Sequence, residues 1–131
     1  MQLNITTDYA IRMVLYLATV GRAAGSGEIA SAMGIPRNMM ATMSPKLRRA
    51  GIIQAVRGAN GGYTLCRAPE DISLSQIVNA MEGTTRLNRC LEDDHFCSRG
   101  AAETCPVRKF YVGIQKLLDE TFQEETIAKL M

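Results

Sequence analysis

The sequence predicts a mostly α-helical fold with one small β-hairpin, in which two short helices come directly before the hairpin. Three observations lead to this fold class. Apolar residues recur at helical spacing in most of the chain, glycines interrupt that spacing, and the period becomes strand-like between residues 52 and 65. With 131 residues, 47% of them apolar and 21% charged, the chain resembles one ordinary globular domain with an appended element.

The first predicted helix begins at Thr6, Thr7 and Asp8. Threonine side chains cap free N–H groups at a helix start, and a carboxylate is favourable at the positive end of the helix dipole. Glycines at positions 21, 25 and 27 then break the helical pattern. The predicted inward face of this helix consists of apolar residues at helical spacing: Ile11, Val14, Leu15 and Ala18.

Two shorter helices are predicted next, at residues 28–33 and 36–50. Gly34 stops the first, and Pro36 starts the second, which ends at Gly51. Two helices around a tight glycine-containing turn predict a helix-turn-helix. Pro45 lies inside the second helix, where it removes a backbone donor. We therefore expect either a kink at Ser44 or a second short helix capped by Ser44.

A β-hairpin is predicted over residues 52–65. Apolar and β-branched residues stand on both sides of a glycine-rich tip, RGANGG at 57–62. A glycine-rich tip alone is a weak signal, because many hairpins end in glycines. A helix-turn-helix followed at once by a basic hairpin is far more specific, and it predicts a winged helix.

The back half of the sequence predicts a short helix, an irregular loop and a long final helix. Ser73 and Gln76 are spaced as a capping box before the short helix. Residues 83–105 have no sustained period, and loops of that length are usually functional or disordered. After Pro106, apolar residues follow a period of about 3.5 to 3.6 residues. They are Val107, Phe110, Tyr111, Ile114, Leu117 and Leu118.

The apolar stripe of the final helix has two interpretations. It could pack against its own domain. We favour a dimer-forming helix, because the front half is already complete by about Gly83 and regulators commonly form self-complementary dimers. The predicted organisation is a winged helix-turn-helix domain at 1–83, a cysteine-bearing sensor loop at 84–105, and a dimerisation helix with a C-terminal tail at 106–131.

Charge is divided unevenly along the chain. Residues 1–67 contain 8 Lys or Arg and 2 Asp or Glu, a net +6, whereas residues 68–131 contain 7 and 11, a net −4. The basic front half predicts contact with a polyanion such as double-stranded DNA. The N-terminal residues lack the basic region and apolar run of a signal peptide, and no long apolar stretch follows. We therefore expect a cytoplasmic protein that does not enter membranes.

Candidate DNA contacts form three groups. Residues at the start of a recognition helix face base edges, where Arg suits guanine and Asn suits adenine. Cations at the other end of that helix are placed for phosphate contact. A thin basic hairpin tip suits the minor groove. A solvated basic face is the plainer interpretation. The groups are, in order, Arg37, Asn38 and Met39; Lys46, Arg48 and Arg49; and Arg57 with Asn60.

Three of the four cysteines, Cys90, Cys97 and Cys105, lie close together, with six and seven residues between them. This is not the C-x-x-C pattern of a zinc finger, and thiolates are the usual ligands of iron-sulfur clusters. Cys105 also precedes a helix N-terminus, which favours the thiolate. Asp8 of the partner subunit, or His95, is a candidate fourth ligand. Three unrelated thiols and an ordinary surface histidine are the plainer interpretations.

The sequence resembles the IscR/NsrR family of bacterial winged-helix regulators, also called the Rrf-two family. The likeness covers nearly the whole chain. The resemblance implies a homodimer on a palindromic operator, Arg37 to Met39 at the start of the recognition helix, Arg57 as the wing arginine, and an iron-sulfur cluster on the three cysteines. The resemblance rests on the segments MQLNITTDYAIRMVLYLA, IASAMGIPRNMMATMSPKLRRAGII, VRGANGGYTL, ISLSQIVNAMEG and ETIAKLM, and on the cysteine triplet.

Individual residues relate this chain more to one branch of that family than to another. The iron-sulfur biogenesis branch has a histidine three residues after the last cysteine, where this chain has Arg108. Asp8 and the segment IPRNMM are more similar to the nitric-oxide-sensing branch, in which an aspartate of the partner subunit can complete the cluster site.

The sequence thus predicts a DNA-binding regulator, a repressor whose iron-sulfur cluster, with two or four irons, senses nitric oxide, redox or iron status. The alternative is a winged-helix regulator that uses thiol oxidation or zinc. A small redox enzyme is the third hypothesis, and we expect no enzyme, because the chain has no nucleophile paired with a base and no cofactor motif.

Overall fold

The computed structural model describes all residues from 1 to 131 and confirms a mostly helical fold with a two-stranded antiparallel hairpin. Two 3₁₀ turns, Pro69–Asp71 and Arg89–Leu91, lie in the connections. The elements in chain order are α1 (Ile5–Val20), α2 (Ser26–Met33), α3 (Arg37–Arg49), β1 (Ile53–Val56), β2 (Gly62–Leu65), α4 (Leu74–Met81), α5 (Pro106–Glu124) and α6 (Ile127–Leu130).

One hydrophobic core joins the first four helices, the hairpin and α6. Helix α1 is central and contacts α2, α3, α4, β2 and α6. The chain has no Trp, so aliphatic and methionine side chains fill the core, and each large one buried contributes about 1.5–3 kcal/mol. Fully buried members include Met13, Leu17, Ile29, Met43, Leu47, Ile77 and Ile127.

Helix α1 begins earlier than predicted. Asn4 is its N-cap, and the Asn4 side chain accepts a hydrogen bond from the Thr6 N–H at 3.0 Å. Asparagine caps as well as any residue, whereas Thr7 is fully buried and bonds elsewhere. The inward face also differs slightly, because Ile11 and Leu15 are half-buried while their predicted companions are buried. The buried positions of α1 are Thr7, Ala10, Met13, Val14, Leu17 and Ala18.

The predicted helix-turn-helix is present as α2 and α3. Helix α2 begins at Ser26, two residues before the predicted start, and ends at Gly34, whose φ of 62° suits glycine. Helix α3 runs through Pro45 as one helix, which excludes the second short helix, one of the two alternatives at Ser44. Ser44 does not cap a helix; it is buried and accepts a hydrogen bond from the Tyr63 hydroxyl at 3.2 Å.

The hairpin pairs Ile53 with Leu65 and Val56 with Gly62 in antiparallel register. The return strand also bonds to the segment before α2, where Ala24 and Tyr63 exchange two backbone hydrogen bonds of 3.0 and 2.8 Å. Gly62 has a φ of +143°, and a side-chain carbon there would lie 2.2 Å from the Ala24 carbonyl oxygen. Only glycine permits this close backbone contact, which fastens the wing to the helix-turn-helix.

The back half contains the predicted capping box, in which Ser73 and Gln76 bond reciprocally at the start of α4. The end of the chain is not a simple tail. Helix α6 returns to the core, where Ile127 is fully buried and its N–H donates to the Ile72 carbonyl at 2.9 Å. The Leu74 N–H likewise donates to the Glu125 carbonyl at 2.8 Å.

Candidate DNA-binding face and cysteine cavity

The predicted DNA contacts lie on the recognition helix and the wing. Arg37 and Asn38 are exposed at the N-terminal end of α3, whereas Met39 is half-buried and packs against the core. Exposed cations also occupy the last turn of α3 and the wing tip. These exposed residues are Lys46, Arg48 and Arg49 in the last turn, and Arg57 and Asn60 at the tip.

Two contacts fix the wing relative to α3. The Tyr63 hydroxyl donates to Ser44 on α3, and the Tyr63 backbone pairs with Ala24 before α2. Because Tyr63 makes both contacts, β2 is held against α3 and against the segment before α2. Sequence patterns gave no indication of this tie, since Ser44 and Tyr63 are nineteen residues apart.

The three clustered cysteines line one cavity of about 270 Å³ at the start of α5. Each of them is half-buried, whereas the fourth cysteine, Cys66, is exposed and lies elsewhere. No three His, Cys, Asp or Glu side chains of the chain are grouped closely enough to hold a single metal ion. The cavity walls include Cys90, Cys97 and Cys105 together with Phe96, Arg108 and Tyr111.

Two of the clustered sulfurs accept a hydrogen bond from an N–H group. Cys105 is the N-cap of α5 and accepts from the Arg108 N–H at 3.5 Å, and Cys90 accepts from the Asn88 side chain at 3.6 Å. Backbone N–H groups of Ala101 and then Arg99 lower the pKa of the Cys97 thiol. The lowered pKa of Cys97 favours its thiolate, which is the form that binds metal.

Arg108 links two parts of this cavity. Its side-chain Nε donates to the Cys90 carbonyl at 3.0 Å, which ties the Cys90 turn to the first turn of α5. The two candidate fourth ligands lie outside the cavity wall. His95, at a φ of 49°, has its Nδ1 3.8 Å from Glu103, and Asp8 pairs with Arg12 at 2.6 Å on α1.

A buried amide fastens the start of the sensor loop to α5. Gln115 is 5% exposed; it accepts from the Leu87 N–H at 2.8 Å and donates to the Thr85 carbonyl at 3.0 Å. Its amide also donates to Asp119, at 2.9 Å, and Asp119 is bridged twice by Arg86. These contacts could not be predicted from the sequence, because a glutamine within a helix carries no signal for contacts about thirty residues away.

Glu82 connects the end of α4 to the start of α1. One carboxylate oxygen accepts from the Thr7 hydroxyl at 2.6 Å and from the Asn4 N–H at 2.8 Å. The Thr7 hydroxyl, and then the Asn4 N–H, lower the pKa of Glu82. Glu82, two residues before the sensor loop, is thereby joined to the helix that carries Asp8.

A helix-turn-helix with a basic two-stranded wing is the architecture of a winged-helix DNA-binding protein. The fold is similar to that of CymR, the global cysteine regulator of B. subtilis, with a TM-score of 0.83 and 23% identity over 99% of this chain and 95% of that one. IscR of T. potens gives a TM-score of 0.77 and 23% identity over 99% and 85%. CymR of Staphylococcus aureus in its oxidized form gives a TM-score of 0.74 and 20% identity, over 99% of this chain and 95% of that one.

The family comparison agrees with the fold. Residues 3–131 match the Rrf2 family, described as iron-dependent transcriptional regulators, so the chain belongs to that family. The family is one of transcriptional regulators, consistent with the expectation that the chain is not an enzyme. None of the helices combines the length and apolar character needed to cross a membrane.

Proposed function

We propose that this regulator is a repressor whose operator affinity depends on an iron-sulfur cluster, with two or four irons, held by Cys90, Cys97 and Cys105. The observation that carries the proposal is that three half-buried thiols from a sixteen-residue segment line one cavity. Once bound, such a cluster would supply a group that reacts with nitric oxide or oxygen, or that is lost when iron is short.

The donor set of the cavity fits such a group. Thiolates are the usual protein ligands of these clusters, and neighbouring backbone N–H groups lower the pKa of the Cys97 thiol. A single zinc ion is less well supported, because zinc needs ligands grouped at about 2.0–2.3 Å around one point. Arg108 bonds the Cys90 turn to the first turn of α5, so it holds Cys90 close to Cys105, the N-cap of that helix.

A partner subunit is the better source of a fourth ligand. The His95 imidazole pairs with Glu103 and does not line the cavity. The Asp8 carboxylate is 48% exposed near the start of α1, where a second copy could meet it once its pair with Arg12 opens. We therefore favour Asp8 of the partner subunit over His95.

DNA binding is assigned to the recognition helix and the wing. The supporting observation is that residues 1–67 have a net charge of +6 and that their exposed cations lie on α3 and the wing tip, except for Arg22, which pairs with Glu28. Arg57→Ala should weaken operator binding by at least about 1 kcal/mol, because a cation at the minor groove is lost. Lys116→Ala, which removes the same charge from α5, is the matched control. Equal affinity of the Arg57→Ala variant and the parent would contradict the wing assignment.

The cluster proposal is tested by anaerobic purification, with iron, sulfide and absorbance measured beside operator binding. The operator is first selected from a pool of random duplexes. Cys97→Ser should remove the iron and the colour, whereas Cys66→Ser, outside the cavity, should keep both. A colourless parent without iron or sulfide, and with DNA binding unchanged by nitric oxide, would refute cluster sensing while leaving DNA binding intact.

A homodimer through α5 is the proposed assembly, on a palindromic operator. The apolar stripe of α5 has little cover within one chain: Val107, Phe110 and Leu117 are 53%, 64% and 61% exposed. Exposed apolar faces of this kind mark association surfaces. Phe110→Asp should give a monomer by analytical ultracentrifugation, whereas Gln123→Glu should keep the mass of the parent. A parent that is itself monomeric would overturn the assembly.

Thiol oxidation is a second candidate for the signal. The observation that favours it is the lowered pKa of the Cys97 thiol, since a thiolate is the form that oxidants attack. A protein of similar fold, CymR of S. aureus, has been solved in an oxidized form. If metal-free protein loses operator affinity with peroxide and regains it with dithiothreitol, thiol oxidation is supported over the cluster.

A further inference from the structure

Gly27 provides the space in which the Arg37 side chain lies. Gly27 is in the first turn of α2, and Arg37 is the first residue of α3. A side-chain carbon built on Gly27 would lie 2.8 Å from Arg37 Nη2 and 3.6 Å from Cζ. The guanidinium therefore rests directly against the bare backbone of Gly27, and any larger residue at 27 would displace it.

The charge of Arg37 does not explain this position. The nearest acidic residue along α2, Glu28, is bound by Arg22 through two guanidinium nitrogens and by the Tyr16 hydroxyl at 2.7 Å. Arg37 takes part in none of the ion pairs or side-chain hydrogen bonds of the chain. No ion pair or hydrogen bond within the chain thus engages the exposed guanidinium, and its donors are available to a nucleic acid.

We propose that Gly27 is a positioning residue that sets the base preference of this regulator through Arg37. The inference rests on the proposed DNA binding by α3. An arginine forms specific contacts through a planar fork, so the base pair that it meets depends on where the guanidinium is held. The space beside Gly27 lets the guanidinium lie against the start of α2, and a methyl group at position 27 would exclude that placement.

Gly27→Ala is the direct test. Alanine is the better helix former, so the variant keeps α2 folded, and the clash falls on the far end of a flexible side chain. The measurement is the base preference in a selection from random duplexes, together with the ratio of specific to non-specific affinity. Gly25→Ala is the matched control, because a side-chain carbon there meets nothing within 4 Å.

We expect Gly27→Ala to change the preferred bases opposite the start of α3 and to change the specificity ratio by at least about fivefold, the effect of one bidentate base contact. The dependence of affinity on salt should stay the same, because no phosphate contact is lost. In an Arg37→Ala background, Gly27→Ala should change neither the base preference nor the specificity ratio.

Two results would overturn the inference. An unchanged base preference in Gly27→Ala, while Arg37→Ala loses discrimination, would leave DNA reading by Arg37 intact and remove Gly27 from it. An equal effect of the methyl group with and without Arg37 would assign its action to α2 itself. If the parent prefers no sequence at all, the proposed function fails instead.

Discussion

Replacement of Gln115 by leucine tests whether one buried amide fixes the sensor loop to α5. Leucine is close to glutamine in size, so the variant removes polar contacts without opening a large cavity. The side chain is 5% exposed and loses three hydrogen bonds: from the Leu87 N–H, to the Thr85 carbonyl, and to Asp119. The two backbone groups then lie half-buried without their partner.

The expected cost follows from those three bonds. Each bond to the backbone is worth about 1 kcal/mol net. The bond to Asp119 adds less, because that carboxylate is 46% exposed and Arg86 already holds it. We therefore expect Gln115→Leu to lower the free energy of unfolding by about 2 kcal/mol, or the Tm by about 8 °C, for a chain of this size.

The assay is urea unfolding at fixed protein concentration, with hydrogen exchange of the Leu87 amide as a local measure. Fixed concentration matters because the proposed association would make stability depend on concentration. Gln123→Leu, an exposed glutamine on the same helix, is the matched control. A loss below about 0.5 kcal/mol, or one equal to that of Gln123→Leu, would refute the role given to Gln115.

Three further predictions concern stability. The Thr7 hydroxyl lowers the pKa of Glu82, so the ionised form contributes stability above its ordinary pKa that is lost as pH falls through the lowered one. Glu82→Gln should therefore differ from the parent more at pH 7 than at pH 3 in urea unfolding; an equal difference would contradict this. Gly62→Ala should lose at least about 2 kcal/mol, because the new carbon meets the Ala24 carbonyl, and parent-like melting would exclude the clash. Leu47→Ala should cost about 2–5 kcal/mol in the same assay, since the side chain is fully buried, and a loss below 1 would place it outside the core.

Sequence analysis predicted the elements whose signals are local. The capping box of Ser73 and Gln76 and the hairpin around RGANGG are present, because their bonds join residues close in the chain. Helix starts were less well predicted. Asn4 was overlooked as a cap because threonines follow it, and α2 begins before Glu28 because Gly25 caps it without a side chain.

Contacts between distant segments could not be predicted in the same way. Nothing in the spacing of residues joins Gln115 to Leu87, or Glu82 to Thr7, because those pairs depend on how whole helices pack. The three cysteines were predicted as a group from their proximity in sequence, and they do line one cavity. Their proposed cluster, the DNA contacts and the dimer remain predictions, since a single chain contains no partner for them.

The return of α6 to the core has a mechanical consequence. Backbone bonds at Leu74 and Ile127 join the far end of α5 to the segment around the start of α4, and the Gln115 amide joins its middle to Thr85 and Leu87. The proposed dimer helix is therefore connected to the DNA-binding core at two places along its length. If α5 joins two copies as proposed, a signal at the cysteine cavity is expected to change the angle between the copies, and the distance between their wings is the quantity to measure.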